Sequence, residues 1–226
     1  MKKDFYDSQA FSITNYIISY LQVSFYLIIC NILPITYLFL SILNPDIFGI
    51  ALLFLTLIPT GPSIGALYSV TGRCIRQKDM FFASQYFKYY KSNFKSCIKF
   101  WTIILTLLFL LFFDYEFFSI DTSSGVYMIF VLLTIVLGLL CLYAFPINSR
   151  FEINIKDLFL TSIYYMIKNM PYTFLKVVII FLCYTILKYV NIFFLLFVPT
   201  ALCFILMFYD NNMLKEIETK MNKQSN

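Results

Sequence analysis

Hydrophobic residues in this chain occur in long uncharged runs and do not alternate with polar residues. The longest run, Tyr16 to Leu43, has 28 residues without Asp, Glu, Lys or Arg. A bilayer core needs only about 20 apolar helical residues. The strands of a membrane barrel would show short segments of alternating polarity instead. The pattern therefore predicts an all-α integral membrane protein, a polytopic bundle of about six transmembrane helices.

Turn signals and charges divide the chain into predicted spans. Asn44-Pro45-Asp46 is a turn signal between the first two spans. The fifth and sixth spans join so closely at 188–191 that one broken helix is the alternative, which would leave five spans. The six predicted spans are 16–43, 47–71, 97–113, 125–147, 172–189 and 191–209, and residues 210–226 are predicted to be a cytoplasmic tail.

Composition agrees with a single transmembrane domain over 1–226. The chain is 61% hydrophobic and its mean hydropathy is +0.80. This length suffices for one compact helical bundle and leaves no room for a separate soluble domain.

The charges predict the orientation of these spans. If the N-terminus is cytoplasmic, every basic residue except Lys188 falls on the cytoplasmic side of the six-span arrangement. The outer loops instead contain acidic residues. Lys and Arg accumulate on the cytoplasmic side of membrane proteins. We therefore expect a multi-pass protein of the bacterial plasma membrane with both termini cytoplasmic.

Two inner segments, 72–99 and 148–171, are predicted to be basic and amphipathic. In the first, four lysines recur at spacings of three or four residues and so share one face of a helix. This helix would lie at the interface and could continue directly into the third span. Anionic phospholipid is the expected contact, an acidic protein partner is the alternative, and nucleic acid is not expected. The residues predicted for surface or partner docking are Arg73, Lys88, Lys91, Lys95, Lys99, Arg150 and Lys156.

The second span contains the most specific local pattern. Gly61, Gly65 and Ser69 recur every four residues and form a ridge on which a neighbouring helix can pack closely. Prolines in the same stretch predict a kink, or alternatively a break that lines a substrate cavity. The kink or cavity residues are Asn31, Pro34, Pro59, Thr60 and Pro62.

The chain lacks residues that metal binding and catalysis usually require. The chain has no His, and its six cysteines form no C-x-x-C pair, so no metal site, cofactor or catalytic residue is predicted. Lys176, Lys188 and Asp114 lie near the ends of spans, where long side chains can reach water. We therefore expect no charge deep in the bundle and no enzyme activity. Ion-coupled carriers usually need such a charge.

Five stretches of the chain resemble the YesL-like membrane proteins. They are Asn31-Ile32-Leu33-Pro34, the stretch 59–68, the basic segment from Arg73 to Lys95, the stretch 145–158, and Asn169-Met170-Pro171. Many members of the family have an aromatic residue shortly after the Asn and small Ala-rich residues after the Gly-Pro. Here Ile32-Leu33 and Ser63-Ile64-Gly65 differ from that pattern.

The resemblance implies a small polytopic protein of Gram-positive bacteria in a group without established activity. Its members are often encoded near carbohydrate uptake systems of the ATP-binding-cassette type, which implies an accessory role. The first functional hypothesis is a non-enzymatic accessory or assembly factor associated with carbohydrate transport or glycan handling. The second is a small-molecule permease, or the substrate-binding membrane subunit of a transporter.

Overall fold

The computed structural model describes residues 9–47, 49–78, 81–119, 125–188 and 197–224, and within them the chain is α-helical with two short 3₁₀ turns. The predicted all-α fold is confirmed. The helices are α1 (Gln9–Cys30), α2 (Ile32–Leu43), α3 (Ile50–Leu57), α4 (Thr60–Gln77), α5 (Tyr86–Ser119), α6 (Tyr127–Asn148), α7 (Ile155–Lys168), α8 (Met170–Leu187) and α9 (Val198–Gln224).

Four helical segments of the described chain are long and apolar enough to cross a bilayer, and a fifth is added if the bent pair α7–α8 counts as one span. The four are Phe11–Cys30, Ile50–Gln77, Phe82–Ser119 and Tyr127–Asn148. This is fewer than the six predicted spans. The predicted first span, 16–43, is two helices instead of one, and residues 189–196, where the predicted sixth span begins, lie outside the described chain.

The helix break at Asn31 has a local cause. Pro34 has no backbone N–H, so it leaves the Cys30 carbonyl without its helical donor. At the break, the Asn31 backbone N–H is shared between the carbonyls of Leu27 and Ile28, both at 3.1 Å. The Asn31 side-chain amide donates to Leu27 O at 2.7 Å and to Ser63 Oγ at 2.8 Å. The break thus joins the first hydrophobic run to α4.

A second break separates α3 from α4 at residues 58–59. Prolines 59 and 62 have no backbone N–H, so the carbonyls of Leu55 and Ile58 lose their usual helical donors. The Leu55 carbonyl accepts instead from the backbone N–H of Ile58 at 3.4 Å. Polar side chains add hydrogen bonds to other carbonyls at the break. The carbonyl of Leu57 accepts from Thr60 Oγ1 at 2.7 Å and from Trp101 Nε1 at 2.9 Å. The Thr60 carbonyl accepts from Ser63 Oγ at 2.7 Å. Irregular backbone at membrane depth persists where protein groups satisfy it in this way.

Helix α5 is the longest helix and joins two predicted elements. Its 34 residues correspond to about 50 Å at the α-helical rise of about 1.5 Å per residue. The hydrocarbon core is about 30 Å thick, so α5 must project beyond it. The described helix contains both the predicted span 97–113 and the lysine-bearing segment before it. The expected continuation of the amphipathic helix into the third span is confirmed.

Helix α4 forms the centre of the bundle. Most of its residues are buried, and it packs against α1, α5, α6 and α9. Its small side chains permit this close approach from several directions. Tyr68 stacks on Phe145 of α6 with ring centroids 6.0 Å apart.

The segment predicted to be a cytoplasmic tail, 210–226, is helical over its described residues and packs against the bundle. Helix α9 continues without interruption from Val198 to Gln224. Met213, Leu214 and Ile217 of this segment are buried in the main core. The sequence after Asp210 is rich in polar residues, but its apolar positions fall on one helical face and pack against the bundle.

The outer surface of the bundle is strongly apolar. Phe25, Phe39, Ile135, Phe174 and Phe208 each expose more than half of their surface. Large contiguous apolar surfaces of this kind mark contact with lipid or protein. Together with the long apolar helices, they identify a membrane protein.

Candidate functional site

Lys176 of α8 and Asp210 of α9 form an ion pair inside the bundle. Lys176 Nζ lies 2.6 Å from Asp210 Oδ1, and the two side chains are only 1% and 4% exposed. This overturns the expectation that no charge lies deep in the bundle and that Lys176 reaches water near the end of its span. Isolated buried charges are very costly, so each side chain depends on the other.

Helix α6 completes the surroundings of the ion pair. Lys176 Nζ donates to the Leu142 carbonyl at 3.1 Å and lies 3.6 Å from the centroid of the Tyr143 ring. The Tyr143 hydroxyl is 2.7 Å from Thr173 Oγ1, one helical turn before Lys176. Three helices therefore hold the ammonium group, the aromatic ring and the carboxylate in fixed positions.

Asp210 has unused hydrogen-bonding capacity. Its second carboxylate oxygen, Oδ2, is buried and has no hydrogen-bond partner in the described chain. Asp210 also lines a cavity of about 160 Å³ between α6, α8 and α9. The other lining residues are Tyr143, Asn169, Tyr172, Tyr209, Asn212, Met213 and Glu216. Buried side-chain oxygens are usually hydrogen-bonded, so an unpartnered one is an uncommon feature.

The rim of this cavity bears a second carboxylate. Glu216 Oε1 lies 2.5 Å from Lys168 Nζ and 2.8 Å from Lys220 Nζ. Hydrogen bonds from these lysines, with Lys168 contributing most, lower the pKa of Glu216 to about 2. Glu216 is therefore ionised at physiological pH.

The predicted ridge residues lie in the tightest contact of the bundle. A Cβ at Gly61 would be 2.5 Å from Trp101 Cγ, and one at Gly65 would be 2.3 Å from Cys97 Sγ. Ser69 Oγ accepts from Asn93 Nδ2 at 2.9 Å. The ridge is thus covered by α5. The predicted cavity or kink residues Thr60 and Pro62 are buried, Pro59 is half-buried beside the break in the chain, and Pro34 is buried.

The four predicted docking lysines of α5 are all exposed. Lys88, Lys91, Lys95 and Lys99 lie on one face, and in the described ranges none of them has a carboxylate within 4 Å. We call this face the lysine face.

Two adjoining polar clefts lie beside the lysine face, with volumes of about 660 and 530 Å³. Lys95 lines both clefts, whereas Lys99 and Lys156 line the larger one. Arg150 is not on this surface, because it pairs with Glu218 and is largely buried. Arg73 is half-buried on α4.

Sequence reasoning missed Lys176 and Asp210 as a site. The sequence did contain a signal for this pair. Lys176 lies within an apolar helix, six residues after its first residue, and Asp210 directly follows the last apolar run, so two opposite charges border hydrophobic segments. No group of three or more His, Cys, Asp or Glu side chains in the described chain is arranged to hold a metal ion.

Part of the chain matches a known protein family. Residues 18–115 match a family described as "Protein of unknown function, DUF624". The match covers most of α1, all of α2 to α4 and most of α5, but not α8 or α9, which supply the ion pair. No curated protein and no solved structure matches the chain.

Proposed function

We propose that this protein is a YesL-like bacterial membrane protein and acts as a non-enzymatic accessory or assembly factor of a carbohydrate-transport or glycan-handling system. The family match over 18–115 supports the first part of the proposal. The second part follows from the resemblance and from the surface chemistry of α5.

The lysine face is the observation on which the docking proposal rests. Four exposed ammonium groups, which have no ion-pair partner among the described residues, lie on one side of a helix that projects beyond the hydrocarbon core. Each lysine near an anionic membrane surface contributes about 1 kcal/mol of attraction. The adjoining polar clefts offer hydrogen-bonding groups in addition to charge. We infer that this face sits over anionic lipid and docks to an acidic cytoplasmic surface of an ATP-binding-cassette carbohydrate transporter.

Changing Lys88, Lys91, Lys95 and Lys99 together to Gln should abolish this docking. The full-length chain would be purified in a mild detergent from cells that express the transporter, and the transporter subunits recovered would be quantified by mass spectrometry. We expect recovery with the natural chain and a loss of at least tenfold with the four-Gln variant. Recovery should also fall as salt is raised, because exposed charges are screened within about 10 Å at 0.1 M.

A matched control changes Lys215 and Lys223 to Gln. Both lysines are exposed and lie on a different helix, α9, so transporter recovery should not change. Equal recovery with the natural chain and the four-Gln variant would contradict docking through this face. Failure to recover any transporter subunit would contradict the accessory role.

The proposed orientation has its own test on a single helix. Ser92 and Glu116 are exposed near opposite ends of α5, about 36 Å apart along an ideal helix. In intact cells, a membrane-impermeant maleimide should label Glu116→Cys but not Ser92→Cys, and permeabilisation should expose Ser92→Cys. The parent chain gives the background from its own cysteines. Labelling of Ser92→Cys in intact cells would overturn the orientation.

A permease is the second candidate function, and the Lys176–Asp210 pair favours it. Membrane carriers place ionisable residues inside the bundle at substrate or proton pathways. Uptake of a solute by proteoliposomes that contain only this chain, and loss of that uptake in a variant lacking the ion pair, would favour the permease over the accessory factor.

A further inference from the structure

We propose that the two polar clefts beside the lysine face bind a phosphorylated polyol, with its phosphate in the larger cleft and its hydroxyl groups in the smaller one. The clefts adjoin each other, and Lys95, Ser96 and Asp157 are among the residues that line both. Their volumes of about 660 and 530 Å³ lie within the range of about 300–1,000 Å³ that is usual for small-molecule sites. The proposal rests on the cytoplasmic orientation proposed above, but not on docking to a transporter.

The larger cleft has an excess of positive charge. Lys95 and Lys99 line it from successive turns of α5, and Lys156 lines it from the first turn of α7. All three lysines are exposed and have no ion-pair partner in the described part of the chain, so a ligand can reach their ammonium groups. Asp157 is the carboxylate that lines this cleft. Three ammonium groups beside one carboxylate favour a phosphate monoester, which carries about two negative charges near pH 7 and is a common ligand of lysine.

The smaller cleft has a different lining, which suits hydroxyl groups. Glu152 and Asp157 are exposed there and form no ion pair in the described ranges. Their oxygens can accept hydrogen bonds from hydroxyl groups, whereas they would repel a second anionic group. The neutral polar side chains that line this cleft are Ser92, Asn93, Ser96, Asn148 and Asn154. Because a hydroxyl group both donates and accepts, a polyol matches this mixture of carboxylate, amide and hydroxyl groups.

Hydrogen bonds to neighbouring helices hold the polar side chains of the smaller cleft in place. Asn93 Nδ2 donates to Ser69 Oγ of α4 at 2.9 Å. Asn148 of α6 is 6% exposed and donates to Cys97 Sγ at 3.1 Å, and its carbonyl oxygen accepts from Ser96 Oγ. These side chains are therefore fixed by contacts between α4, α5 and α6 before a ligand binds, which lowers the entropic cost of binding.

Two sources supply the recognised chemistry, a phosphate ester next to free hydroxyl groups. A dissolved sugar phosphate or glycerol phosphate has these groups, and so does the head group of phosphatidylglycerol. Lys95 and Lys99 flank the start of the predicted span 97–113. A lipid head group at the interface and a dissolved molecule can therefore both reach the clefts.

Glycerol 3-phosphate is the probe that tests this proposal. The full-length protein in deuterated maltoside micelles would be titrated with it, and binding followed by saturation-transfer NMR of its C–H signals. Glycerol is the control that lacks the phosphate, and n-propyl phosphate is the control that lacks the hydroxyl groups. We expect glycerol 3-phosphate to bind at least about tenfold more tightly than glycerol and about threefold more tightly than n-propyl phosphate. Equal affinity for the probe and either control, or no binding of the probe, would overturn the proposal.

Two single lysine variants locate the phosphate. Lys156→Gln should weaken binding of glycerol 3-phosphate about tenfold, as expected for the loss of one charge-assisted hydrogen bond. Lys88→Gln is the matched control, because Lys88 is also exposed and removes the same charge but lines neither cleft. Both positions are exposed, so neither variant disturbs the core. Equal affinity in the two variants would show that the phosphate binds elsewhere and would contradict the proposal. The transporter is absent from this assay, so the result is independent of transporter recovery.

Lipid nanodiscs distinguish the two sources of the ligand. Two preparations would contain phosphatidylcholine with the same proportion of either phosphatidylglycerol or phosphatidylserine, which gives them the same surface charge. If the site takes the lipid head group, glycerol 3-phosphate should bind more weakly in the phosphatidylglycerol nanodisc, because that lipid competes for the site. Equal binding in the two nanodiscs would assign the site to a dissolved phosphorylated polyol. Either result supports the site, and absence of binding in both nanodiscs contradicts it.

Discussion

Replacing Lys176 by methionine should destabilise the protein by about 3–5 kcal/mol, which is the cost of removing one partner of a buried ion pair. Methionine preserves most of the side-chain volume, so the main effect is on Asp210. The Asp210 carboxylate would remain buried but would lose its ion pair with Lys176 Nζ, which lies 2.6 Å away. The free energy of unfolding can be measured in mixed micelles by titration with SDS and followed by far-UV circular dichroism.

Two controls separate the buried charge from a general effect of losing a lysine. Lys168→Met removes the partially exposed pair with Glu216, and exposed pairs contribute at most about 1 kcal/mol. The double variant Lys176→Met/Asp210→Leu removes both charges and should recover most of the stability, since apolar replacements of buried pairs are often neutral. Similar losses in Lys168→Met and Lys176→Met would contradict this assignment.

Replacing Gly65 by alanine should destabilise the protein by about 1–3 kcal/mol, the usual cost of overpacking a core. The added Cβ would lie 2.3 Å from Cys97 Sγ. Cys97 is fully buried, and its sulfur accepts from Asn148 Nδ2 at 3.1 Å, so it has little freedom to move away. The same SDS titration measures the change in the free energy of unfolding.

The variant Gly65→Ala/Cys97→Ala tests the cause of this destabilisation. Without the sulfur, the remaining neighbour of the new methyl group is the Cβ of residue 97, at an ordinary 3.5 Å. The double variant should therefore lose less stability than the sum of the two single variants. Gly138→Ala is the positional control, because nothing lies within 4 Å of its Cβ. Its stability should stay the same or rise by up to about 1 kcal/mol. Additive losses would show that Gly65 and Cys97 do not share a tight contact.

The helix breaks were predictable because they depend on local backbone chemistry. A proline removes a donor wherever it stands in a helix, and the observed breaks at Asn31 and at 58–59 lie close to Pro34, Pro59 and Pro62. The side chains that donate to carbonyls at these breaks were not predictable. Trp101 of α5 donates to the carbonyl of Leu57 at the end of α3. This hydrogen bond depends on how α3 and α5 are aligned along their axes, which the sequence does not show.

Hydropathy alone determined that this chain is a helical membrane protein. Lipid offers no hydrogen bonds, so an apolar run long enough to cross it must satisfy its own backbone as a helix. The spacing of its lysines predicted an amphipathic helix before Trp101 that could continue into the third span.

Only the tertiary structure decided which polar groups meet. Lys176 and Asp210 are 34 positions apart on different helices, and each one looked like a residue near the end of an apolar run. Their burial depends on the 93° bend between α7 and α8 and on the packing of α9 along the bundle beyond its apolar half. Hydropathy measures the average polarity of a segment, whereas the pairing of two side chains depends on which helical faces pack together.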